Sequence, residues 1–127
     1  MPAPASITYS DSLKTTAQTA VLTDIDAGSG PGKLKLYDTN DALLCAITLT
    51  DPSGTITAGV LAISPGQIGS VITGGECTYG AITDSDDNVV VTAPASEGVS
   101  TVAGEIVISD LTLISGTDVE LISCVIG

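Results

Sequence analysis

This chain predicts a mainly β domain: an antiparallel β-sandwich or barrel with one N-terminal α-helix. Three observations carry that expectation. After residue 33, seven or eight short runs rich in Val, Ile, Leu and Thr follow one another. Each is broken by turn chemistry, in the stretches DTND, DPSG, SPGQ, DSDDN and SGTD. Only one stretch, near the N-terminus, repeats its apolar residues at spacings of three and four.

Taken in order, MPAPAS at 1–6 reads as an extended arm, since two prolines and small side chains offer little to a packed core. Residues 7–127 then read as a single β-rich domain, with its helix within about 10–27. Ser10 suits an N-cap, and Asp11 falls in the first turn, where the helix dipole favours a negative charge. Leu13, Ala17, Ala20, Val21 and Ile25 fall at spacings of three and four and form one modest apolar stripe, and Gly28 stands where a C′ glycine would end the helix. Strands are predicted at 33–37, 43–50, 55–63, 76–83, 88–93, 104–109, 111–114 and 117–126. Within the second, Leu43, Cys45, Ile47 and Leu49 share one face, while Leu44, Ala46 and Thr48 take the other. The alternation slips near Ser109–Asp110 and near Leu121–Ile122, which predicts bulges or a change of sheet there.

The composition limits what such a domain can do. Its 127 residues have room for one core. The mean hydropathy is +0.47, yet the aromatics are Tyr9, Tyr37 and Tyr79 alone. Small aliphatic side chains must therefore build the core, and each buries less area than an aromatic ring. Fifteen acids face Lys14, Lys33 and Lys35, with no Arg or His, for a formal net charge of −12. That sign repels phosphate backbones and anionic membrane surfaces, so no nucleic acid and no membrane is expected as a partner. Partners should be neutral or basic. No apolar run approaches the roughly 20 residues that span a bilayer. The start also lacks the charged and apolar regions of a secretory signal.

Two motifs invite chemistry. DAGSGPGKLKLY, residues 26–37, resembles a phosphate-binding loop because Gly28, Gly30 and Gly32 run into Lys33. A P-loop, however, places a glycine where Ala27 stands and a hydroxyl where Leu34 stands, and it leads into a helix rather than a strand. The stretch reads as a helix cap and flexible crossing. DSDDN, residues 84–88, opens like a calcium loop with Asp84, Asp86 and Asn88, but Val89 and Ala95 occupy the positions of the required glycine and glutamate. A hairpin turn is the expectation, with weak cation binding left open. Cys45, Cys77 and Cys124 are odd in number and widely spaced, so neither a disulfide framework nor a metal site is expected, and synthesis in a reducing compartment fits. Without a histidine to activate a thiolate, Cys45 in LLCAI and Cys124 in ISCVI read as core residues. The sequence nominates no catalytic residue, no cofactor-binding residue, no metal ligand and no cofactor, and an enzyme is not expected.

The stretches ITYSDSLKTTAQTAVLTDIDAGSGPGKLKLYD, LTDPSGTITAGVLAIS and ITDSDDNVVV together resemble a family of small proteins encoded by tailed bacteriophages and prophages. The resemblance covers nearly the whole chain. Residues 64–76 lack that family's usual longer loop, and the helix has no arginine. The resemblance implies a minor capsid or head-decoration protein on the capsid exterior of the virion, made in the bacterial host cytoplasm. Its implied partners are the major capsid protein and further copies of itself, as a homo-oligomer and most simply a trimer. A phage tail or fibre module binding a receptor and a ligand-binding β-sandwich remain the alternatives.

Overall fold

The computed structural model describes residues 9–98 and 104–126; the arm expected over 1–6 lies outside them. Helix α1 runs Asp11–Ile25, inside the predicted 10–27. Ser10 is extended and its hydroxyl accepts the Leu13 N–H at 3.1 Å, satisfying one of the free donors of the first turn. At the other end the Asp26 N–H donates to the Leu22 carbonyl at 3.0 Å and the Ala27 N–H to that of Asp24 at 3.3 Å. Asp26 is thus the C-cap and Gly28 falls one residue later than expected, reversing the chain at φ +99.

The strands are β1 (Lys33–Tyr37), β2 (Leu43–Thr48), β3 (Gly54–Thr57), β4 (Val60–Ile63), β5 (Ile68–Ser70), β6 (Gly75–Glu76), β7 (Tyr79–Thr83), β8 (Val89–Glu97), β9 (Ile106–Ile108), β10 (Thr112–Leu113) and β11 (Asp118–Ile126). Nine of them form one curled sheet, ordered β2-β1-β7-β8-β9-β11-β4-β3, with β5 also paired to β11; β10 and β6 make a separate ribbon. The curl gives a half-barrel. A bridge between Cys45 and Val71 brings β2 against β5 across its opening. Gly69 permits this approach, because a Cβ there would meet the Ala46 carbonyl and the Ile47 side chain at 2.8 Å.

Several sequence expectations are corrected. The mainly antiparallel pairing holds except at one place, where β8 and β9 run parallel, Ala95 opposite Ile106 and Glu97 opposite Ile108. β9 is only three residues long, so re-entering the sheet in the same direction means retracing about 10 Å. The predicted strand 55–63 is a hairpin, β3–β4. Its turn residues Ala58 (φ 50) and Gly59 (φ 81) both have positive φ, the twist that two-residue hairpins favour. The predicted strand 76–83 divides into β6 and β7, β8 continues through Pro94 to Glu97, and β5 was not anticipated. In β2 the register shifts so that Leu36 faces Cys45 while Tyr37 faces Leu43. The extra residue, Leu44, is buried together with Cys45 instead of on the opposite face. The slip expected near Leu121–Ile122 is present as a bulge opposite Val107–Ile108.

The core lies inside the curl. Leu34 and Leu36 from β1, Ile82 from β7, Ile106 and Ile108 from β9, and Leu121 from β11 are fully enclosed. Burying each such side chain contributes about 1.5–3 kcal/mol before entropy is counted. Helix α1 joins this core by its last turn alone. Ile25 is buried and Val21 and Leu22 pack against the core, while Leu13, Ala17 and Ala20 of the same stripe are exposed. No helix among the described residues is long and apolar enough to cross a membrane.

Candidate functional site

The two motifs singled out in the sequence meet in space. The turn between β7 and β8 folds back on the loop between α1 and β1, where the Ser85 hydroxyl donates to the Ala27 carbonyl at 3.2 Å. Gly28 faces Ser85 so closely that a Cβ there would overlap the hydroxyl. Gly32 is equally enclosed, with a would-be Cβ at 2.7 Å from the Ile25 side chain and from the Thr83 carbonyl. The glycines let two backbones and a helix end converge, so the loop is a docked joint and not the flexible crossing the sequence suggested.

Charge is settled locally at this joint. Lys33 and Lys35 project from the outer face of β1, and their Nζ atoms lie 3.1 and 3.0 Å from Oδ1 of Asp87. The Lys35 and Lys33 ammoniums hold the Asp87 carboxyl below its ordinary range. Asp84 is also held low, because its Oδ1 accepts the N–H groups of Asn88 and Asp86, both at 2.9 Å, and its Oδ2 accepts the Asn88 amide at 3.1 Å. Both lysines thus share one carboxylate, and Asp84 spends its oxygens on its own turn. The nearest helix terminus is the C-terminal end of α1, whose dipole repels a phosphate. Among the described residues, no group of three or more Cys, Asp or Glu side chains is placed to hold a metal ion.

The cysteines are scattered and enclosed. Cys45, Cys77 and Cys124 are all free and buried. Burial pushes the thiols of Cys77 and Cys124 up to about 11, and that of Cys45 is raised as well. Each keeps its proton at neutral pH and behaves as a small hydrophobe. Tyr37 and Tyr79, cross-strand partners on β1 and β7, stack with ring centroids 5.1 Å apart and planes 15° from parallel. The Tyr79 hydroxyl donates to Asp41 at 2.7 Å, and that bond pushes its pKa up to about 12. Each ring covers a face of the other, which leaves a poorer stacking surface than two open rings would give a sugar.

A concave surface lies instead beside α1. Leu13, Lys14, Ala17 and Gln18 line it from the helix, Tyr9 from the residues just before it and Gly59 from the β3–β4 turn, around about 450 Å³. The helix reaches the hairpin because Gly59 has no side chain: a Cβ would meet that of Lys14 at 2.5 Å. Tyr9 and Leu13 remain 62% and 51% exposed, and the side-chain oxygen of Gln18 is shut away from water without a donor. Sequence periodicity put Leu13 and Ala17 on the apolar stripe of the helix, and that stripe lines the groove here.

A second apolar surface lies on β5 and on the loops that follow β5 and β10. Ile68 and Ile72 alternate outward along β5 and its continuation. Segment 72–74 lies beside 113–115, where the Ser115 hydroxyl donates to the Ile72 carbonyl at 3.2 Å. Ile72 and Ile114 are 63% and 62% exposed. Nothing in the strand pattern distinguished them from buried isoleucines. No protein family, curated protein or solved structure matches this chain.

Proposed function

We propose that the protein is a structural component of a tailed-phage virion: a minor capsid or head-decoration protein that acts on the capsid exterior as a symmetric homo-oligomer, most simply a trimer. The observation that carries this reading is the pair of exposed apolar surfaces, Tyr9–Leu13 and Ile72–Ile114, on a molecule whose net charge is −12. Large side chains kept out of the core and grouped on an otherwise acidic protein are what association surfaces require. The resemblance of the helix, glycine loop and DPSG and DSDDN turns to small tailed-phage proteins supplies the setting. In this reading the major capsid protein offers a neutral or basic site, and the solvated acidic surface faces outward.

Mass spectrometry of gradient-purified particles tests it. The expected outcome is this chain at a copy number in simple proportion to the shell subunit. Particles that lack the chain at every stage of purification overturn the reading.

A further inference from the structure

The two exposed apolar surfaces differ in shape, in charge and in position. The groove between α1 and the β3–β4 turn is concave, whereas Ile72 and Ile114 stand out from adjoining loops. Strand β11 connects the two regions. Its start, Asp118, pairs with Ser70 of β5 just before Ile72, and its end, Ile126, pairs with Leu61 of β4 near the hairpin tip. The nine residues of this strand separate its two ends by about 26 Å, so the two surfaces are distinct patches.

The charges are complementary. Among the described residues, Lys33 and Lys35 form their ion pairs with Asp87, and Lys14, on the groove wall, has none. The isoleucine surface is bordered by exposed carboxylates: Asp118, which accepts from the Ser70 hydroxyl at 3.2 Å, and Glu76, opposite Thr112 in the β6–β10 ribbon. A two-fold contact of groove with groove pairs two surfaces that each carry Lys14, and one of isoleucines with isoleucines pairs two surfaces that each carry Asp118 and Glu76. Only the unlike pairing brings exposed isoleucines to a concave groove and an acid to a cation.

We propose that copies of this chain join head to tail, with Ile72 and Ile114 of one copy seated in the Tyr9–Leu13–Ala17 groove of the next, and Asp118 or Glu76 facing Lys14. This rests on the homo-oligomer in the proposed function and specifies its contact. A head-to-tail contact is heterologous, so it closes into a ring when each step turns the chain by a whole fraction of a circle, and a third of a turn gives the trimer.

Engineered cysteines on the full chain test the contact, since the three natural thiols are buried. Leu13→Cys and Ile114→Cys proteins are treated with oxidant, each alone and as an equilibrated mixture, then run on a non-reducing gel. A covalent dimer is expected in the mixture and in neither protein alone. A dimer from either protein alone, or none in the mixture, overturns head-to-tail joining. Light scattering on wild type and Ile114→Asp, with circular dichroism to confirm the fold, separates the two levels of the reading. The variant is expected to fall to the single-chain mass of 12.6 kDa. An associated wild type whose mass Ile114→Asp leaves unchanged removes this contact and spares the oligomer. A wild type that is itself a single chain removes both. The particle stoichiometry is measured independently of either result.

Discussion

Ser85 donates its hydroxyl to the carbonyl oxygen of Ala27 at 3.2 Å, across 58 residues of chain. This bond pins the acidic turn on the glycine loop, with Gly28 directly beneath the serine at φ +99. Gly28→Ala sets a methyl group against the hydroxyl and adds strain at a left-handed position. The expected loss is about 1–3 kcal/mol, read as a lower urea midpoint. Ser85→Ala alone should cost about 1 kcal/mol, and Gly28→Ala should be milder in that background. Equal losses in both backgrounds would show that the methyl–hydroxyl clash is not what Gly28 avoids.

Asp87 gives the joint a pH dependence of defined sign. Lys35 and Lys33 lower its folded-state pKa beneath the ordinary 3.8. A group lowered in this way stabilises fully above its unfolded value, and the contribution is lost as pH falls through the folded value. Wild type should therefore melt above Asp87→Asn from pH 5 to 7, with the gap closing below pH 3.8. Comparing the two proteins cancels the relief of acidic self-repulsion that both feel at low pH. A gap that widens on acidification would contradict the assignment.

Thiol labelling should be all or none. At pH 7.5 the folded protein is expected to leave Cys45, Cys77 and Cys124 unmodified by Ellman's reagent, because burial raises all three thiols. In guanidinium chloride all three should react at once. Rapid labelling of one thiol in the folded state would mark a local opening, most plainly at the Cys45–Val71 bridge that spans the half-barrel.

Nucleotide should not bind at the glycine loop, since Lys33 is engaged by Asp87 and the neighbouring helix presents its C-terminal end. Calorimetric titration with ATP and magnesium is expected to give only heats of dilution. A micromolar signal that Lys33→Ala abolishes would reverse this.

Local rules in the chain determined most of the elements. The Ser10 cap and the glycines after residue 27 bracket α1, and the alternation in KLKLY puts Leu34 and Leu36 on one face and both lysines on the other, the leucine face being the buried one. The same alternation failed in LLCAI, because a single bulge buries Leu44 beside Cys45 and only the pairing with β1 decides where a bulge falls. It failed again in GTITAGVLAI, where Ala58 carries a positive φ without being glycine and the turn is held by the strands on either side.

What only tertiary structure decided is which surface each apolar face meets. Periodicity shows that Leu13, Ala17 and Ile25 lie along one stripe of α1, yet the sheet curls beneath the last turn alone, so Ile25 is enclosed and Leu13 faces the groove. Ile108 and Ile114 are the same residue six positions apart, one fully buried and one 62% exposed, and no local preference separates them. The folding of KLKLY and DSDDN onto one another, which turned two ligand-like motifs into a joint, likewise depends on contacts more than fifty residues apart. Local chemistry shapes a strand or a turn within a few residues, whereas burial is a property of the closed sheet and exists only once distant strands have paired.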